Sequence, residues 1–187
     1  MVFDESIHGE FIDLYKVNIT DAADIYRWRT SISGQYLNQP PGYTIESQEQ
    51  WIRSRDDREM NYIIRDDEEK VGMISIYDVS YPVSNVGRLI LDEKYLNRGT
   101  PYGLEALLLT YDYVFNVMDI PKISGTILGR NKKVFDLQKY LGMIQEGYLK
   151  NHVLLNGNLE DLYVMSLFRD DFYKYAERIN IILNKFR

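Results

Sequence analysis

The spacing of apolar residues changes along this chain, and the changes mark its elements. Phe11 to Lys16 reads as a first strand. Thr20 or Asp21 caps a helix in which Ile25, Trp28 and Ile32 recur on one face. Gly34 and the cluster Gln39-Pro40-Pro41-Gly42 predict an irregular loop, after which Thr44 caps a second short helix through Trp51 and Ile52. Asn61 to Ile64 and Val71 to Val79 are strands on either side of the acidic turn Asp66-Asp67-Glu68-Glu69. Pro82 to Asn85 breaks the second of these, and Val86 to Leu91 follows as a third. Pro101 opens a long helix whose stripe is Leu104, Leu107, Leu108, Tyr111, Phe115 and Met118. Lys122 to Leu128 is a strand. Asn131 caps a helix with Val134, Leu137, Gln138 and Leu141 on its inner face, stopped by Gly142. Asn156-Gly157 turns a closing hairpin, and Phe172 to Phe186 reads as an amphipathic helix.

This order predicts an α+β fold, with helices packed on a central, mostly antiparallel sheet. No repeat, linker or low-complexity stretch divides the 187 residues. One domain over 1–187 is expected, with 170–187 a C-terminal helical extension.

Composition removes whole classes of chemistry. The chain has no cysteine, which excludes a thiol nucleophile, thiolate zinc sites and disulfides. It has two histidines, His8 and His152, so a multi-histidine metal site is not expected and no metal is predicted. The acidic turn reads as a solvated hairpin tip. No apolar run approaches the ~20 residues of a membrane span. Met1 to Glu5 lacks the basic flank of a signal peptide, so the expected location is cytoplasmic, with no membrane partner. A net charge of −6 argues against nucleic acid as a partner and suits a cationic or amine substrate.

The candidate chemistry centres on Asn97-Arg98-Gly99-Thr100-Pro101-Tyr102-Gly103-Leu104-Glu105-Ala106, which follows Leu89-Ile90-Leu91 and opens a helix. The first turn of a helix has unpaired N–H groups and the positive end of the dipole, so such a loop can hold an anion. Gly99 and Gly103 let a ligand approach the backbone. A second segment runs from Asn131 through Leu137, Leu141 and Gly142 to Glu146-Gly147.

The element order, Tyr102-Gly103-Leu104-Glu105-Ala106 and the second segment together resemble the GNAT superfamily of N-acetyltransferases, over residues 10 to 168. The resemblance implies acetyl-CoA as co-substrate. It implies that Leu89, Ile90 and Leu91 lie on a splayed strand that pairs with the pantetheine arm. Arg98, Gly99, Thr100, Tyr102 and Gly103 would hold the pyrophosphate, and Asn131 would touch the cofactor. Three positions depart from the family pattern. Pro101 stands where a glycine is usual, Gln138 where a tyrosine acid often lies, and Asn85 where a glutamate is often found. Glutamine has no proton to give near neutral pH, and Tyr140, two positions further along the helix, points elsewhere.

With no cysteine to carry an acyl group, the expected reaction is direct transfer to a primary amine. The Trp-Arg pair among Arg27, Trp28 and Arg29 on the first helix, the second helix ending in Trp51-Ile52, and Gly87-Arg88 look like the subgroup that acetylates amino sugars on nucleotide carriers; Arg27, Trp28, Arg29, Tyr36 and Arg88 are the expected substrate residues. An amino sugar nucleotide is therefore the expected acceptor. A protein N-terminus of the ribosomal-protein type, or a polyamine, is the alternative, and an acyl-CoA-binding module without catalysis is a further one. For proton transfer, counting back from a two-residue Asn156-Gly157 turn sets His152 opposite Asp161, a pair that would orient and favour the protonated imidazole. Glu49 is a second candidate, with Glu46, Tyr36 and Tyr77 on the same acceptor side. Phe172, Tyr175, Ala176, Ile179, Ile182, Leu183 and Phe186 share one face of the last helix. That face must be covered, by its own domain or, as the other solution, in a homodimer.

Overall fold

The computed structural model describes residues 4–37, 42–56, 58–96, 98–155 and 157–186; Gln39-Pro40-Pro41, Asn97 and Asn156 lie outside them. The strands are β1 (Ser6–His8), β2 (Asp13–Lys16), β3 (Met60–Asp66), β4 (Glu69–Ser80), β5 (Val83–Leu91), β6 (Lys122–Leu128), β7 (Ile144–Leu155) and β8 (Asn158–Phe168). The helices are α1 (Ala22–Thr30), α2 (Ile45–Arg53), α3 (Glu93–Leu96), α4 (Tyr102–Asp112), α5 (Lys132–Tyr140) and α6 (Arg169–Leu183). One sheet runs in the order β1-β2-β3-β4-β5-β6-β8-β7. Neighbours are antiparallel except β5 and β6, which are parallel and joined by the α4 crossover.

Alternation along the strands feeds two cores. Ile63, Met73 and Ile90 face α1, which lays Ile25 and Trp28 on them. Tyr62, Ile64, Ile74 and Ile76 point the other way, under α4 and α6. Capping is local and legible. Thr44 and Ser47 form a reciprocal cap on α2, and the Asn131 side chain caps α5.

Several expectations shift. A short strand β1 precedes the first predicted strand, which itself begins at Asp13. Pro82 to Asn85 is no break: the chain turns at Tyr81-Pro82 and β5 already starts at Val83. Ile32 does not continue the apolar face of α1. The helix ends at Thr30, Ser31 caps a new turn, and Ile32 is 72% exposed. On α5, Val134 and Leu137 lie open on the surface, while Phe135 stacks on Tyr163 at 4.3 Å between ring centroids and Leu141 is buried. The helix packs through a different edge than its apolar spacing suggests.

The two parallel strands part along their length. β5 pairs with β6 only at Val83, Ser84 and Asn85, against Lys122, Ile123 and Ser124. Beyond Asn85 both strands continue without pairing to each other. β5 also carries a bulge on its other side. Met73 and Ser75 of β4 stand opposite Ile90 and Gly87, two steps against three, and Arg88 in between has φ 53°.

Candidate functional site

The fork leaves one edge of β5 open from Val86 to Leu91. Leu89 and Leu91 pack into the α4-side core and Ile90 into the α1-side core, so the side chains are committed and the main chain on that edge is available. Buried or half-buried N–H and C=O groups need partners, and a ligand carrying amides can supply them.

Beside the fork α4 begins. Pro101 is its N-cap, with no side chain bonding to the first turn. Gly103 lies in that turn. A Cβ there would stand 3.4 Å from Leu91 Cδ1, so the helix start rests directly on the end of β5. Gly99 takes φ 65° with open space around it, a conformation glycine adopts without strain. The uncapped N–H groups and the dipole end thus meet the mouth of the fork, a setting for an anion. The Tyr102 hydroxyl donates to Asp66, and its pKa is pushed up to about 12, by burial first and then by that carboxylate. Asn131 Oδ1 accepts from the Val134 amide at 3.4 Å, so its oxygen serves the α5 cap.

Gln138 lies between α5 and α4. Its Oε1 accepts a 2.7 Å bond from the Tyr111 hydroxyl. Burial raises the pKa of Tyr111 far above the usual phenol range. The pair ties two helices together, and Tyr140 is half exposed.

On the α1–α2 face the structure redistributes the predicted acceptor residues. Trp28 is buried, its Nε1 donating to Asp92 at 3.0 Å. Arg27 donates to the same carboxylate and, at 3.2 Å, to Asp24. These two residues staple α1 to the end of β5, and the Arg27 side chain stays 55% exposed. Burial alone would raise the Asp92 pKa. Bonds from Arg27, the Lys94 amide and Trp28 overcome that and hold it below the usual carboxylate range. Tyr36 is separate from this group, stacked under Arg130 at 4.9 Å. Glu49 pairs with Arg53 on its own helix at 3.7 Å, and Glu46 is exposed.

Arg29 and Arg88 do come together. The Arg29 guanidinium lies 5.6 Å from the Tyr43 ring centroid, and its pKa is lowered by burial and by Arg88. Arg88 donates to Glu59 and lies 4.2 Å over the Tyr77 ring. Next to it opens a pocket of about 320 Å³, lined by charged groups including Arg55, Asp56, Glu59 and Asp78. Glu59, Asn61 and Ser75 escaped the sequence reading. The available signal was polarity at inward positions: Asn61 and Ser75 are buried polar residues within otherwise apolar strands.

The predicted His152–Asp161 pair does not form. The hairpin runs in register from Leu155↔Asn158 to Val153↔Glu160, then jumps to Leu149↔Leu162, four steps along β7 against two along β8. Asn151 takes φ 50° in that bulge. Asp161 accepts instead from the Tyr148 hydroxyl and, at 2.7 Å, from the Asn151 amide, and both hold its pKa low. His152 is exposed. Among the described residues no cluster of three or more His, Asp or Glu is placed to hold a metal, and no helix is long and apolar enough to cross a membrane.

A fork between two parallel strands, with a helix N-terminus at its mouth, marks an α+β fold that leaves a backbone edge open beside the start of a helix. The chain belongs to the GNAT acetyltransferase domain family, whose pattern matches residues 12–144. It is 23% identical over 118 residues to the spermidine N(1)-acetyltransferase of Escherichia coli K12; the match covers 63% of this chain, and the chain spans 62% of that relative's length. Among solved structures, a spermidine N-acetyltransferase from Vibrio cholerae, in complex with CoA and spermine, superposes with a TM-score of 0.78 at 18% identity, over 88% of this chain and 99% of that one. A ribosomal-protein-S5-alanine acetyltransferase from Vibrio fischeri gives 0.75 at 21% identity, over 90% and 99%. At such identities these likenesses speak to the fold.

Proposed function

We propose that the protein moves the acetyl group of acetyl-CoA directly to a primary amine. The observation that carries this reading is the β5–β6 fork, with the uncapped start of α4 resting against the end of β5 through Gly103. The open edge of Val86–Leu91 suits the amides of a pantetheine arm, and the first turn of α4 suits the pyrophosphate. With no cysteine in the chain, the amine attacks the thioester itself. Its nitrogen bonds to the acetyl carbon and the carbonyl electron pair moves to oxygen. When that pair returns, the C–S bond breaks. CoA departs as thiolate and takes up the proton that the amine gives away. Main-chain N–H groups of β5 at the head of the fork stabilise the oxyanion. Gln138 is no acid here; its oxygen is occupied by Tyr111.

A polyamine is the acceptor best supported. Relatives in sequence and in fold carry that substrate in their names, and a chain with net charge −6 favours a cation. A protein N-terminus ranks second, on the likeness to the ribosomal-protein enzyme. The amino sugar nucleotide ranks behind both: none of the relatives named above carries it, and of the residues that suggested it Arg27 and Trp28 bond to Asp92.

Release of free CoA from acetyl-CoA is to be measured with spermidine, N-terminal peptides and amino sugar nucleotides. Turnover with spermidine is expected; turnover confined to the peptides or the sugars overturns the polyamine assignment. Acetyl-CoA binding without amine-dependent release for any of them identifies a binding module. In calorimetry Gly103→Glu is expected to abolish acetyl-CoA binding, since a carboxylate would face phosphate. Undiminished binding moves the pyrophosphate elsewhere.

A further inference from the structure

Arg88 combines a strained backbone with an unusually constrained side chain. Its φ of 53° belongs to the left-handed region, which a long side chain enters only at a cost. Such strain persists where the surroundings over-determine it. Arg88 Nη1 donates to Glu59 Oε1 and approaches Asn61 Oδ1 at 3.5 Å. The guanidinium lies 4.2 Å over the Tyr77 ring and 5.7 Å from that of Trp51.

Each partner is itself held. Asn61 Oδ1 accepts from Ser75 Oγ at 2.6 Å, and Asn61 Nδ2 donates to Glu59 Oε1 at 3.0 Å. Arg55 donates to Glu59 Oε2 at 3.1 Å. The network spans β3, β4 and the bulge of β5; Asn61 and Ser75 are buried in it, while Arg88 and Arg55 are partly exposed. The bulge leaves Arg88 and Leu89 without a bridge partner on β4, and the fork leaves them without one on β6. Their main-chain groups therefore stand at the head of the fork, where acetyl transfer takes place if the function proposed above holds.

We propose that Arg88 is a positioning residue: its guanidinium, anchored on Glu59 and Asn61 and stacked on Tyr77, holds the bulge that turns the Arg88–Leu89 main chain toward the thioester. Its charge is spent inside the protein on Glu59, not on the acceptor. Without this clamp the strand relaxes toward regular pairing with β4, and the oxyanion loses aligned donors.

The test compares Arg88→Gln, Glu59→Gln and the double variant, with spermidine or whichever panel amine turns over. Each single variant is expected to lower kcat about 10- to 100-fold, part of what losing an oxyanion donor costs. Acceptor KM and acetyl-CoA affinity should stay within about threefold. The double variant should be no worse than the poorer single one, because both break the same device. A rise in acceptor KM with kcat kept assigns Arg88 to the acceptor and overturns the proposal, as do additive losses. Arg88→Gly keeps this φ accessible, since glycine adopts it freely; it should remain folded by circular dichroism and still lose kcat. Amide hydrogen exchange at Arg88 and Leu89 reads the clamp without turnover. At Leu89, corrected for the changed neighbour, it should slow in Arg88→Gly as the strand pairs with β4, and unchanged or faster exchange overturns the proposal. A wild-type chain inactive on every amine, with exchange that does slow in the variant, removes the acetyltransfer reading and leaves the clamp standing.

Discussion

Glu105 shows how one residue can serve the fold inside a segment that looks wholly devoted to ligand. It belongs to the stretch that carries the family resemblance, two positions after Gly103. Its carboxylate is buried and accepts main-chain N–H bonds from Glu10 at 2.6 Å, Phe11 at 2.9 Å and Ile12 at 3.0 Å. It ties the turn between β1 and β2 to α4. Hydrogen bonds to a charged acceptor are stronger than neutral ones, and breaking them here leaves buried donors unpaired. Glu105→Gln replaces one acceptor oxygen by an N–H₂ facing N–H groups. A loss of about 3 kcal/mol in urea unfolding is expected, with acetyl-CoA affinity of the folded protein kept. A loss below about 0.5 kcal/mol would mean that these amides find other partners.

Among the elements, α1 and β7 are controlled by polar groups more than by their apolar faces. α1 buries Ile25 and Trp28, but its angle to the sheet is set where Arg27 and Trp28 meet Asp92 beyond the end of β5. The folded pKa of Asp92 lies below the unfolded carboxylate value of about 3.9. Its contribution to stability is therefore complete above that value and disappears as pH falls through the folded one. Between about pH 4 and pH 2 the wild-type protein should lose stability more steeply than Asp92→Asn, as followed by thermal melts across that range. Parallel acid limbs would show that the staple does not depend on ionisation. β7 ends the sheet as a 12-residue edge strand, and two register shifts break its line. Bulges and charged residues such as Glu146 and Lys150 keep such an edge from pairing with other chains.

In the whole molecule, α6 completes the core that the sheet and α4 begin. Phe172 packs against Phe115 and Tyr111, with ring centroids 5.2 and 6.3 Å apart, and Ile179 and Leu183 are buried beside them. The stripe read from the sequence is therefore covered within the chain at these positions, while Phe186 remains 44% exposed. Truncation after Asp171 removes three large buried side chains, each contributing about 1.5–3 kcal/mol. The melting temperature should fall by at least about 10 °C, with the oligomeric state by light scattering unchanged. A dimer that becomes a stable monomer would instead make α6 an interface helix.

Features that depend on a few neighbouring residues were legible in the sequence: the Thr44 and Asn131 caps, the apolar stripe that begins in α4, and the loop–helix segment from Arg98 to Ala106. Each is decided within one or two turns of chain, where composition and spacing suffice. The antiparallel sheet followed from the order of those elements. Residues far apart in the sequence were decided only by packing. Arg27 and Asp92 are 65 positions apart, and only the folded chain brings them into contact. Bulges add residues that counting along a hairpin leaves out, which is why His152 does not meet Asp161. The same physics made the site: where β5 stops pairing with β6, and where Arg88 turns out of register, depends on every strand finding its partner at once.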